Sequence, residues 1–488
     1  MNRILLGIVS LAAAMGIFAA CSSSSSGGRS KDGGGADGSE QTDVASGADS
    51  SAADGSSASD AQGDSTIADG GSPASDGGSG PDGNPCVNPQ LTFGKIGQGD
   101  SSQYFTSGVG ARTATDLLIF DGYLGPAPGG DGGTTSVPWV YVQAFDATTG
   151  LSKGPSQPLF AVADPTREGV RMEAVAVAPS GQIALLYSHS NNPLYAAFLA
   201  PAAAADGGVA GLMVLTSNIV VAPIFTNSGG TIESSHVIWS NATQSFVMSW
   251  VGDAYVESIA EYTATGAPSP GGVEVVSTDN GTTSGNVTEN CVGISGDLLA
   301  IDWQSGMPNK NQTGITVYNT QGQQVGAPTY VAPQQNGLAE LAGTANGFVL
   351  VYAPETGGLT TTGVFIPTTA GGLADAGTFP TYTIRIPGGT SLGLRAISDG
   401  VGTGGAGGVG LALMGATSTS FAYVHADGTT LDGPVSVFAT GYQNSSSQVS
   451  LTNINGSFVM TLFQQTANAT GPGAPSLFGA QIAASGCN

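Results

Sequence analysis

Positive charge is scarce in this chain. Eleven Lys and Arg stand against 35 Asp and Glu in 488 residues, and charged residues make up 9% of the sequence, where about 25% is usual for soluble domains. Nucleic acid is thereby excluded as a partner, because neutralising phosphates takes a basic surface. A basic helix lying on a membrane is excluded for the same reason. Histidine occurs at His189, His236 and His425, and cysteine at Cys21, Cys86, Cys291 and Cys487. No His-x-His, HExxH or Cys-x-x-Cys pair exists, so neither a metal site nor a cofactor is expected. Helical periodicity is missing beyond residue 85, which leaves strands and turns to build whatever core there is.

The first 20 residues are a different matter. Arg3 precedes an apolar run over 4–20, closed by Phe18-Ala19-Ala20-Cys21. The run falls short of the ~20 residues of a spanning helix and has the layout of a signal segment, to be set aside in reasoning about fold. Small residues before a cysteine resemble the lipobox of bacterial lipoproteins, with Phe18 standing where that family prefers Leu. The resemblance implies cleavage before Cys21, lipid on Cys21, and membrane as a partner through that lipid. Ser22, where no Asp stands, implies by the same resemblance an address at the bacterial outer membrane, facing periplasm or cell surface.

Residues 21–85 read as a disordered tether. From Ser22 to Pro85 there is no aromatic residue and no Leu or Met, and 11 acids face Arg29 and Lys31. Such a composition cannot bury enough apolar surface to offset its ordering entropy. As a random coil it spans about 40–50 Å, enough to hold a domain clear of lipid headgroups.

Residues 86–488 carry two interleaved repeats. The first is an apolar strand entered from a turn: DLLIF at 116–120, QIALLY at 182–187, SFVMSW at 245–250, DLLAIDW at 297–303, GFVLVY at 347–352, GVGLALM at 408–414 and SFVMTLF at 457–463. Each follows another short strand and an Asn, Gly or Ser turn, which is a hairpin signal. The second is a strand ending in a glycine turn and then Gly-Pro or Ala-Pro, at 145–155, 262–268, 318–328 and 425–434, spaced in steps of about 56 residues. Four strands per unit, repeated about seven times, predict an all-β fold, a seven-bladed β-propeller. Six or eight blades, tandem β-sandwiches and a β-solenoid are the alternatives.

The seventh unit runs out one strand short. The segment 90–94 at the other end of the domain is expected to supply it, and a Cys86–Cys487 disulfide to staple the closure, which an oxidising compartment permits. Cys291 is then left as a buried thiol; its pairing with Cys86 or Cys487 is the rival arrangement.

Few motifs survive inspection. Gly389-Thr390-Ser391-Leu392-Gly393 has the letters of a nucleophile elbow but precedes a strand where a helix is required. Gly402 to Gly407 match G-x-G-x-x-G without a βαβ unit, and read as a long hairpin turn. Tyr187, Trp250, Trp303 and Tyr352 recur at one repeat position and are expected between blades. One constellation remains: Arg112, Glu173, His236, Glu289, Glu340, Arg395 and Gln448 stand near the start of the first strand of successive units. In a propeller those strands line the central channel, so these seven residues are the expected ligand-binding rim. The function expected is an envelope-anchored surface lipoprotein whose propeller binds or scaffolds a protein, peptide or glycan. A carbohydrate-active hydrolase or lyase using Glu173, Glu289 or Glu340 is one alternative, and a structural or adhesive surface protein is another. No catalytic residue is identified.

Overall fold

The computed structural model describes residues 87–93 and most of 108–483; residues 1–86, 94–107, 484–488 and several stretches between strands, among them 127–135, 164–169, 203–207, 223–234, 252–256, 278–290, 400–406 and 440–447, lie outside the described residues. Cys21, Cys86, Glu289 and Cys487 therefore lie outside them too. The described strands form seven antiparallel sheets, six of four strands and one of five. Six sheets are built from consecutive segments: 109–161, 170–222, 235–277, 292–333, 339–385 and 393–438. These are blades 1 to 6. Blade 7 takes three strands from 448–483 and its fourth, Val87–Phe93, from the other end of the domain.

The first strands of the blades are Val109–Arg112, Val170–Val177, Ser235–Ser240, Val292–Ser295, Ala339–Thr344, Gly393–Ser398 and Gln448–Ile454. Each packs against the first strands of its two neighbours, and that of blade 7 packs against that of blade 1. The ring is closed. The protein is a seven-bladed β-propeller.

Side-chain alternation explains the unbroken apolar runs of the second strands. In blade 1, Leu118 and Phe120 face blade 2, while Leu117 and Ile119 face blade 7. In blade 5, Phe348 and Leu350 face blade 4, while Val349 and Val351 face blade 6. Successive strand residues point to opposite faces, and here both faces are covered, so no polar alternation is needed. The core accordingly divides into seven apolar clusters, one at each interface between adjacent blades. Tyr187 and Trp250 are buried in two of them, as their repeat position implied.

The glycine repeat is the turn between third and fourth strands. Asp146 Oδ1 accepts the N–H groups of Thr148 and Thr149 at 3.0 and 2.8 Å, Asn319 Oδ1 those of Gln321 and Gln323 at 3.0 and 2.9 Å, and Asp427 Oδ1 those of Thr429 and Thr430 at 2.9 and 2.8 Å. Such side-chain turns leave the chain in a left-handed conformation that glycine tolerates. Gly150, Gly322 and Gly428 each sit at φ 71° there.

The closure pairs Val87 with Ile482, Leu91 with Gly479 and Phe93 with Leu477. This agrees with the strand expected from 90–94, begun three residues earlier. The expected Cys86–Cys487 bridge lies outside the described residues.

One buried acid sets a pH dependence. Asp121 in blade 1 is buried, accepting a hydrogen bond from Gly122 N–H at 2.8 Å. Burial raises it from 3.8 to about 7, the hydrogen bond opposing. A carboxyl that holds its proton more tightly when folded stabilises the fold fully below its unfolded value. That contribution is lost as pH rises through the folded value. Asp121→Asn is expected to leave stability unchanged near pH 4 and to raise it above pH 7, by at most about 4 kcal/mol. Urea midpoints of both proteins across pH 4–9 check this.

Candidate functional site

The channel has two unlike ends. Where the first strands begin, it narrows to a cavity of about 40 Å³ that touches Glu173, His236 and Arg395. Where they turn into the second strands, it opens into a cavity of about 350 Å³ lined by six of the seven blades. Small-ligand sites are concave, mostly apolar and of roughly 300–1,000 Å³. The wider end meets that description and the narrow end does not.

Four aliphatic side chains set the character of the wide cavity: Ile238, Ile294, Ile397 and Ile454, from blades 3, 4, 6 and 7. All four are half-buried. Polar groups interrupt the apolar wall at few points. Trp239 Nε1 donates to Asn241 Oδ1 at 3.0 Å, and Asn453 Nδ2 donates to the Ser398 carbonyl at 3.1 Å, tying blade 7 to blade 6. Asn453 Oδ1 has no hydrogen-bond partner. Among the described residues no Lys or Arg lines this cavity, and the exposed Asp297 stands at it.

Sequence reasoning placed the site at the other end. Of its seven rim residues, the structure brings Glu173, His236, Glu340 and Arg395 to the strand-start end. Gln448 is the first residue of its strand in blade 7, and Glu289 lies outside the described residues. Arg112 does not belong with them. It is the last residue of Val109–Arg112 and lines a cavity of about 590 Å³ at the hairpin end, beside blades 2 and 7, that shares Pro179 and Ile454 with the wide cavity. The misplacement has a plain cause. The second strand begins at Asp116, so the first strand of blade 1 ends at Arg112 and does not start there, and its short Val-Gly-Ala-Arg stretch carries little strand signal.

Two of the four gathered residues hold each other, and Glu173 is held by neighbours in its own blade. Arg395 Nη1 pairs with Glu340 Oε1, and Glu340 Oε2 accepts the Ala396 N–H at 3.2 Å. Glu173 accepts from Ser188 Oγ and faces Arg171 Nε at 3.3 Å. Glu340 is 2% exposed, and each of its oxygens already accepts a bond. Glu340 and Glu173 are thus each engaged by neighbouring groups, and Glu289, the third carboxylate of the hydrolase alternative, lies outside the described residues.

Cys291 joins this group unannounced. It precedes the first strand of blade 4 and is a free, buried thiol. His236 Nε2 lies 3.2 Å from its Sγ, and Asp302 Oδ1 accepts its N–H at 2.6 Å. Burial pulls the His236 imidazole down to about 4, with Glu340 opposing and Arg395 adding. Burial pushes the Cys291 thiol well above its ordinary value, and the charges of Glu340 and Asp302 push the same way. A nucleophilic cysteine needs its thiol lowered, so this is not an activated Cys–His pair. Asp302, wholly buried, is raised to about 8 by burial first and by Glu340.

No protein-family model matches the sequence, and no curated protein does. Solved structures offer distant likenesses. The fungal lectin of Aleuria aurantia, described as a six-bladed β-propeller that recognises fucose, is 12% identical with a TM-score of 0.37, over 64% of this chain and 96% of that one. AofleA from Arthrobotrys oligospora is 9% identical with a TM-score of 0.39, over 60% and 79%. The periplasmic gluconolactonase PpgL of Pseudomonas aeruginosa is 14% identical with a TM-score of 0.40, over 67% and 83%. Likenesses this remote decide neither blade number nor ligand. Both rest on the strands and side chains of this chain.

Proposed function

We propose that this chain is an envelope-anchored binding module that takes an uncharged, partly apolar ligand end, a sugar or a short peptide segment, into the wide mouth of its channel. The observation that carries this reading is the 350 Å³ cavity lined by six blades. Its aliphatic wall would take the apolar body of a ligand. An anion finds no Lys or Arg among the described lining residues and meets Asp297 at the mouth. Arrays of glycans and of short peptides, probed with the full chain, test the reading. Neutral or cationic members should bind and carboxylated ones should not; uniform silence, or a preference for acidic members, would overturn it.

Anchoring rests on the residues Phe18-Ala19-Ala20-Cys21. Lipid on Cys21 holds the chain at the outer membrane, and the acidic stretch after it keeps the propeller away from the bilayer. Among the described residues no helix is long and apolar enough to cross a membrane. Cys21→Ser should move the protein from the membrane pellet to the soluble fraction of a fractionated envelope; retention of the variant in the pellet contradicts the anchor. A Cys86–Cys487 disulfide, one residue before Val87 and five after Ile482, would lock the pairing of those two residues covalently.

A further inference from the structure

At the narrow end of the channel, three blades bring three different metal-ligating atoms together. His236 comes from the first strand of blade 3, Cys291 from the residue before that of blade 4, and Glu340 from that of blade 5. One ring nitrogen, one thiol sulfur and one carboxylate oxygen all lie within 4.8 Å of one another. The imidazole nitrogen and the sulfur are 3.2 Å apart. Around a tetrahedral zinc ion, with bonds of about 2.0–2.3 Å, donors stand about 3.4 Å from each other. The trio is therefore at the right scale without rearrangement of the strands that carry it.

A second observation points the same way. Asp302 stands directly behind Cys291 and is wholly buried. Its Oδ1 accepts the Cys291 N–H, but its Oδ2 has no hydrogen-bond partner. Burying a carboxyl oxygen without a partner is costly, so Asp302 Oδ2 leaves unmet bonding capacity beside the trio. The Glu340 carboxylate is already oriented by Arg395 and the Ala396 N–H, as carboxylate ligands usually are by their outer neighbours. The cavity of about 40 Å³ beside His236 has room for a water.

We propose that His236, Cys291 and Glu340 form a three-ligand site for a thiophilic divalent cation of the zinc type, with its open position toward the channel. One thiolate with one imidazole and one carboxylate selects Zn²⁺ or Co²⁺ over Mg²⁺ and Ca²⁺, which prefer all-oxygen shells. On binding, the thiol proton leaves to bulk buffer and the sulfur takes the ion in its place. The site lies at the opposite end of the channel from the ligand cavity, so neither reading depends on the other. No local motif announces it, because each ligand comes from a different blade.

The test uses the full chain, stripped with chelator, kept reduced and titrated with Co²⁺. One equivalent should bind with a thiolate-to-cobalt charge-transfer absorption in the near ultraviolet, and Zn²⁺ should displace it. Cys291→Ser should remove that absorption and weaken binding at least 100-fold; His236→Ala should weaken it about 10- to 100-fold. Comparison with Cys291→Ser separates this site from Cys21, Cys86 and Cys487. A measurement that needs no variant accompanies it: Zn²⁺ should raise the thermal midpoint of the wild-type chain and Mg²⁺ should not. Absence of the charge-transfer band, its persistence in Cys291→Ser, or a midpoint indifferent to Zn²⁺ would each overturn the proposal.

Discussion

Gly343→Ala is expected to prevent the propeller from forming. Gly343 lies in the first strand of blade 5, where that strand runs closest to the first strand of blade 4. A Cβ placed on it would stand 1.7 Å from the Ile294 carbonyl oxygen and 2.3 Å from the carbonyl carbon. Both are backbone atoms, so no side chain can rotate away to make room. On the facing strand, a Cβ at Gly293 would stand 3.1 Å from the Ala342 carbonyl carbon. The two strands thus meet backbone to backbone, and this contact is one link of a closed ring. Separating blades 4 and 5 there spoils packing around the whole circle, since protein interiors transmit strain and do not absorb it. The expected cost is at the upper end of single substitutions, above about 4 kcal/mol, read as loss of soluble protein or of the cooperative unfolding transition. Gly371→Ala is the control, because a Cβ there meets nothing within 4 Å. A soluble Gly343→Ala protein with unchanged midpoint would contradict the placement of the inner strands.

The second large effect concerns closure. Removing residues 87–93 should expose the edge of the strand Gly471–Ala483, which those residues cover. Five residue pairs are lost, at about 1 kcal/mol for each hydrogen bond. The bared edge then offers unpaired N–H and C=O groups to another copy of the chain. The thermal midpoint should fall by at least about 5 °C, and the variant should associate as its concentration rises. Light scattering beside thermal melts checks both. A deletion that melts like the parent and stays monomeric would mean that blade 7 is complete without its borrowed strand.

Much of this architecture is legible in the chain. Blade count follows from the second strands, because a run such as GFVLVY is apolar throughout only when both of its faces are covered. Closure follows from a count of strands: the last unit holds three, and 90–94 is an unclaimed strand at the other end. The turn repeat is legible because Asp146, Asn319 and Asp427 each need a nearby left-handed glycine. The site is less legible. Ile238, Ile294, Ile397 and Ile454 look like ordinary strand residues until the ring is closed. Their one signal is a shared place, two or three residues before an Asn or Gly turn. Polar residues at the strand starts drew attention because charge is rare in this chain. Glu340 and Arg395 turn out to satisfy each other, and Cys291 proves to be a neighbour of His236 across two blades. Contacts between blades depend on how the ring closes, and no local spacing encodes that.

The decisive measurement concerns the wide mouth of the channel. Ile397→Arg puts a long cation into the aliphatic wall of the 350 Å³ cavity, at a half-buried residue that also packs against the apolar cluster between blades 6 and 7. Using the glycan or peptide that the full chain binds most tightly, titration calorimetry on wild type and on Ile397→Arg should show at least a tenfold loss of affinity, at a temperature below the cooperative unfolding transition of both proteins. Equal affinity in the two proteins would place the ligand elsewhere on the propeller and contradict the account.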